Sequence, residues 1–122
     1  MLGEMRTAAL LAKAVHGDAS ALPAGAALRM ATLNGARALG IGGETGSLEV
    51  GKWADMAAID LSAVETQPLF DPVSQLVYAA GREQVTDVWV AGQQLLKNRT
   101  LTQMDLPAII QRARDWQKRL AD

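Results

Sequence analysis

Apolar and polar positions follow two regimes along this chain, with spacing of three and four near both ends and shorter β-like runs between them. Met5, Ala8, Ala12 and Val15 recur at helical spacing and predict a helix from Gly3 to Val15, stopped by Gly17. After a short loop from Asp18 to Leu22, Pro23 opens a second helix, because a proline in the first turn gives up an N–H that has no partner there. Leu28, Ala31, Gly35, Ala38 and Leu39 share one face of that helix. Ala31, Gly35 and Ala38 keep the face small, so it is expected to sit tightly against a neighbouring element. Gly40 supplies a left-handed cap, and Gly42 and Gly43 extend the break.

The middle of the chain reads as strands. Ser47-Leu48-Glu49-Val50, between Gly46 and Gly51, predicts a β-arm closed by a turn, and Met56-Ala57-Ala58-Ile59, bounded by Asp55 and Asp60, predicts a buried strand. Leu61 to Pro72 has no clean period and reads as an ordered surface connection, followed by a short helical turn from Val73 to Tyr78. Val88-Trp89-Val90 and Gln94-Leu95-Leu96, joined at Ala91-Gly92-Gln93, predict a hairpin. Asp105 is placed to cap a last helix with the stripe Ile109, Ala113, Trp116 and Leu120, leaving Arg112, Arg114, Lys118 and Arg119 largely outside it.

One spaced pattern is specific. It comprises Ala31-Thr32, Asn34-Gly35-Ala36, Leu39-Gly40, Gly46-Ser47-Leu48, Gly51-Lys52, and Ala54-Asp55-Met56 leading to Asp60. In these residues the chain resembles the metal-dependent amidohydrolase superfamily, within it the cytosine, guanine and S-adenosylhomocysteine deaminase branch, and within that branch the bacterial 5-methylthioadenosine/S-adenosylhomocysteine deaminases. LGEMRTAALLAKAVHGD resembles the helix after the eighth barrel strand, and DPVSQLVYAAGREQVTDVWVAGQQLL the closing sandwich strands. The resemblance implies an α+β fragment, made of the last helices of a (β/α)₈ barrel plus closing strands of a small composite β-sandwich. Residues 1–45 would be barrel helices, 46–100 part of the sandwich and 101–122 a C-terminal helix.

The resemblance also implies chemistry. The family binds one catalytic zinc or iron through a His-x-His pair after the first barrel strand, two further histidines, and an aspartate after the eighth strand. Here His16 is the one histidine, and it follows the helix that should come after that aspartate. A zinc site needs three or four protein ligands, and there is neither a cysteine nor a histidine cluster to supply them. The expectation is therefore no catalytic, no cofactor-binding and no metal-ligating residue in this chain, which would start just after the last catalytic position. The complete family enzyme is a hydrolase that activates a metal-bound water to attack a purine-ring carbon and expel ammonia. The 122 residues alone are expected to be inactive.

Composition narrows the setting. A chain of 122 residues is one domain or less, and with 49% hydrophobic but 4% aromatic residues its core is expected to consist of Ala, Leu and Val, which bury less area per residue. The net charge of −1, from 12 basic and 13 acidic residues, leaves no electrostatic footprint for nucleic acid or an anionic membrane. No apolar run approaches the roughly 20 residues that span a bilayer, and no signal peptide is expected ahead of Gly3. Zero cysteines fit a cytoplasmic setting.

Several local patterns were candidates for chemistry. Gly46 to Lys52 imitates the phosphate loop G-x-x-x-x-G-K, but Trp53 stands where Ser or Thr should follow and the flanks are a helix before and a strand after, so it reads as structural. His16 beside Gly17 suits a hydrogen-bonding residue at a helix C-terminus. Asp55 and Asp60 bracket a strand at odd separation and are expected to face opposite sides and satisfy turn amides. Asn34, beside Gly35, is placed to hydrogen-bond a barrel loop. Trp53, Trp89 and Trp116 are expected to be packing residues, since no basic groove accompanies them. Asn98-Arg99-Thr100 matches the glycosylation triplet but has no meaning without secretion. Two classes of function follow: a structural part of a hydrolytic deaminase whose partner is the N-terminal barrel, or a stand-alone, non-catalytic module that pairs with itself as a homo-oligomer through the apolar faces of the Met5 to Val15 helix and the small-residue Pro23 helix; under either, the sheet edges at Val88 to Leu96 suit a swapped homodimer.

Overall fold

The structure is a computed structural model, and it describes residues 1–121. Helix α1 (Leu2–His16) ends at Gly17, whose φ of 61° is the left-handed stop expected of that glycine. Its buried residues are Met5 and Ala9, whereas Val15 is exposed, so the inward face is rotated from the Met5–Ala8–Ala12–Val15 line. Two long cations explain the rotation. Arg6 donates through its guanidinium to the carbonyls of Val77 (3.2 Å) and Ala80 (2.6 Å), and Lys13 donates to those of Ala21 (2.6 Å) and Leu22 (3.3 Å) while lying over the Tyr78 ring. Their apolar stems belong to the packed face as much as the alanines do.

Pro23 is the N-cap of the next helix rather than its first residue, with an extended backbone (ψ 159°) and a carbonyl that accepts from Ala26 and Ala27. Helix α2 (Ala24–Arg29) passes through a π turn (Met30–Asn34) into α3 (Gly35–Ala38). The π turn inserts one residue into the helical repeat and shifts the phase of everything after it. Ala24 and Ala27 are therefore buried before the turn and Ala36 after it, while Ala38 and Leu39 of the predicted face are exposed. Helix α4 (Pro72–Tyr78) closes this helical layer. Asp71 caps it, accepting from the Val73 and Ser74 amides. The core is small, as its composition requires: Ala9, Ala24, Ala27 and Val77, with Leu22, Val73 and Tyr78 packed around them.

Strands β1 (Met56–Ile59), β2 (Val85–Val90), β3 (Gln93–Lys97) and β4 (Thr100–Leu101) form one antiparallel sheet in that spatial order. The hairpin of β2 and β3 turns on Ala91 and Gly92, both at positive φ (50° and 79°), the twist-matched two-residue turn. Strand β1 is an edge strand with Met56 and Ala57 exposed, which corrects the expectation of a buried strand. The β-arm predicted at Ser47–Val50 is not a strand either; Gly46 to Lys52 is an irregular turn held by side chains. Helix α5 (Leu106–Ala121) is capped as expected, with the Asp105 carboxylate accepting from the Ala108 amide at 3.0 Å, yet every one of its residues is exposed.

Candidate functional site

An open concavity of about 790 Å³ lies between the α2–α3 helix and the loop that leads to β1. Its helical wall is Leu28, Ala31, Gly35 and Leu39, the small-residue face read from the sequence, so that face borders open space rather than a tightly packed neighbour. Ile41, Leu48 and Met56 line the other side. Asn34 ends the π turn and is not part of the lining.

The hydroxyls and the carboxylate of this wall are bonded to the chain itself. Thr32 donates its hydroxyl to the Leu28 carbonyl at 2.8 Å. Thr45 donates to the Asp55 carboxylate at 2.8 Å, and the other Asp55 oxygen accepts the Ala91 amide at 2.7 Å. The Ala91 N–H, then the Thr45 hydroxyl, hold the Asp55 carboxyl below the usual carboxylate range. Asp60 is likewise lowered by Ser62, whose amide it receives at 2.8 Å. The two aspartates thus bond different segments and make no acid–base pair. Thr45 carried no spacing signal in the sequence, and its role emerges only once the hairpin turn is brought to Asp55.

The phosphate-loop imitation resolves into a lysine staple. Lys52 donates to the Gly42 carbonyl (2.9 Å) and the Ser47 hydroxyl (2.6 Å), with Glu49 at 3.6 Å. His16 sits at the end of α1 with Nδ1 2.9 Å from the Ala12 carbonyl oxygen, the helix-terminal arrangement expected of it. Trp53 and Trp116 are 57% and 61% exposed, so neither is a packing residue within this chain, while Trp89 is half-buried in β2. Asn98 and Arg99, both at positive φ, make the β3–β4 turn, and the Arg99 guanidinium gathers the carbonyls of Arg82, Glu83 and Val85. Among the described residues no three His, Asp or Glu side chains are grouped to hold a metal ion. The exposed, singly bonded His16 and the dispersed carboxylates do not fit a zinc centre. No helix among them is long and apolar enough to cross a membrane.

Residues 1–95 match the Amidohydrolase family. The chain is 48% identical over 120 residues to a 5-methylthioadenosine/S-adenosylhomocysteine deaminase of Teredinibacter turnerae, a match that takes 98% of this chain and 27% of that one. It therefore spans about a quarter of the length of such relatives. A crystal structure of an adenosine deaminase from Xanthomonas campestris with bound zinc superposes with a TM-score of 0.93 at 59% identity, over 99% of this chain and 28% of the other. Atrazine chlorohydrolase from Arthrobacter aurescens, complexed with zinc, superposes at 0.84 with 32% identity, over 92% and 25%.

Proposed function

The chain belongs to the amidohydrolase family, and from that premise we propose that it is the closing structural part of a metal-dependent hydrolase that deaminates a purine-type substrate of the 5-methylthioadenosine/S-adenosylhomocysteine class. Residues 1–45 supply the last barrel helices, 46–100 part of the composite sandwich and 101–122 a C-terminal helix. The observation that carries this reading is the open concavity. Its wall is mostly apolar, and its hydroxyls and its carboxylate Asp55 are bonded to the chain's own groups. Such a surface receives another part of a protein more readily than it performs proton transfer, which needs a group free to reach the reacting atom. The metal of the complete enzyme, zinc in the Xanthomonas and Arthrobacter structures, would be held by ligands outside these residues. When bound it would supply the activated water. The absence of cysteine suits a cytoplasmic enzyme.

The test compares two proteins. The 122 residues alone, given zinc and either 5-methylthioadenosine or S-adenosylhomocysteine, are expected to release no ammonia. A chimera carrying them in place of the matching part of the Xanthomonas deaminase is expected to turn over. Stoichiometric zinc together with turnover by the 122 residues alone would overturn the proposal.

A second reading, a stand-alone module that pairs with itself, is favoured by the bare apolar side chains Leu39, Leu48, Val50 and Phe70. It predicts that the isolated chain is a stable dimer at micromolar concentration, measured by light scattering.

A further inference from the structure

Helix α5 has a surface that the chain itself leaves uncovered. Leu106, Ile109, Ala113, Trp116 and Leu120 recur at alternating spacings of three and four, the narrow seam by which one helix packs on another, and all five are exposed. A helix of this length is marginal in water without such packing. Its placement is nevertheless shared with the Xanthomonas deaminase, because a superposition that close over 99% of this chain leaves no room for the sixteen residues of α5 to be set elsewhere. In that enzyme most of the chain lies outside the shared part, and something must hold α5 where it is.

Charge points to what that is. Arg112 and Arg119 flank the seam on one side, seven residues apart, and Arg119 lies over the Trp116 ring at 5.7 Å. Asp115 is the single acidic residue between Leu106 and Ala121 and is bonded by Gln111 at 2.9 Å, so the helix as a whole is basic. An antiparallel pair of α5 helices would set Arg112 of one copy against Arg119 of the other, which opposes antiparallel self-pairing, and a parallel pair would leave both arginines without a carboxylate, facing Ile110 and Gln117.

Building on the proposed function, we infer that the α5 seam docks on the part of the longer hydrolase outside these residues, in an apolar groove whose side facing Arg112 and Arg119 carries carboxylates. The experiment is hydrogen exchange of the Ile109 to Leu120 amides in the chimera and in the isolated chain. Exchange is expected to slow by roughly tenfold or more in the chimera, and the double substitution Arg112→Glu, Arg119→Glu is expected to return it toward the isolated rate. Deaminase turnover with α5 unprotected would overturn this docking and leave the proposed function standing. Protection without turnover would do the reverse. Should the chimera fail to fold, the isolated chain decides: concentration-independent, unprotected exchange in α5 is the expected result, and protection that grows with concentration would overturn the inference in favour of a second copy.

Discussion

A Cβ placed on Gly46 would stand 2.7 Å from the Ala36 methyl carbon, 3.0 Å from Leu33 Cα and 3.2 Å from the Thr32 carbonyl oxygen. The loop that follows the α2–α3 helix therefore lies directly on it, backbone against backbone, and this contact fixes one side of the concavity.

Gly46→Ala is expected to be among the most damaging single substitutions in the chain. The residue sits at a φ of 90°, which costs a side-chain-bearing residue about 1–3 kcal/mol. The overlap with Ala36 and the Leu33 backbone adds about 1–3 kcal/mol of overpacking, because neither neighbour can rotate away. Urea unfolding should show the loss as a lowered midpoint. A variant within about 0.5 kcal/mol of the parent, the range of an ordinary surface change, would mean that the loop does not rest on the helix.

The joint between Asp55 and Ala91 should appear in the acid limb of stability. The Ala91 amide and the Thr45 hydroxyl lower the folded pKa of Asp55, so its contribution is present above the unfolded value and is lost as pH falls through the folded one. Asp60 and Asp71, lowered by Ser62 and Ser74, have the same sign. The chain is thus expected to hold its stability down to about pH 4 and lose it progressively below. Asp55→Asn, which keeps an acceptor for the Ala91 amide but cannot titrate, should flatten that slope. An unchanged slope in a pH series of melting temperatures would sink this assignment.

Arg6 ties α1 to the end of α4 by donating to the carbonyls of Val77 and Ala80, both fully buried residues. Arg6→Met preserves the apolar stem and removes both donors, so the expected loss is about 1.5–3 kcal/mol, the range for bonds made by a charged group. Arg6→Lys should recover only part of it, since an ammonium cannot reproduce the two-nitrogen fork. Full recovery by lysine, read from the unfolding midpoint, would reduce the contact to one of charge alone.

How far these features were legible depends on whether local chemistry or distant partners decided them. Gly17, Gly92 and Asp105 act within a few residues of themselves, and their stop, hairpin turn and cap stand where the sequence placed them. The inward faces were less readable. The π turn at Met30–Asn34 breaks the 3.6-residue count, which moves Ala38 and Leu39 outward and brings Ala36 in. Arg6 and Lys13 look like surface residues by type, and only the positions of α4 and the Ala21–Leu22 carbonyls, remote in sequence or set by the loop, draw them onto the packed face. Met56, Trp53 and Trp116 have the composition of buried positions, but nothing among the described residues covers them. Periodicity reports that a face is apolar and is silent on which element covers it.

Lys52 gives the last expectation, because the sequence Gly46 to Lys52 invites a nucleotide and the structure assigns the lysine elsewhere. Its ammonium is bonded to the Gly42 carbonyl and the Ser47 hydroxyl, and the loop precedes a strand, so no helix N-terminus presents amides to a phosphate. Millimolar MgATP is therefore expected to leave the melting temperature unchanged, whereas a ligand at a hundred times its Kd would add about 2.7 kcal/mol. Lys52→Met should instead lower stability by about 1.5 kcal/mol, the low end for a charged donor. A rise in melting temperature with MgATP that Lys52→Met abolishes would return the segment to phosphate binding, since a staple lysine has no reason to respond to nucleotide.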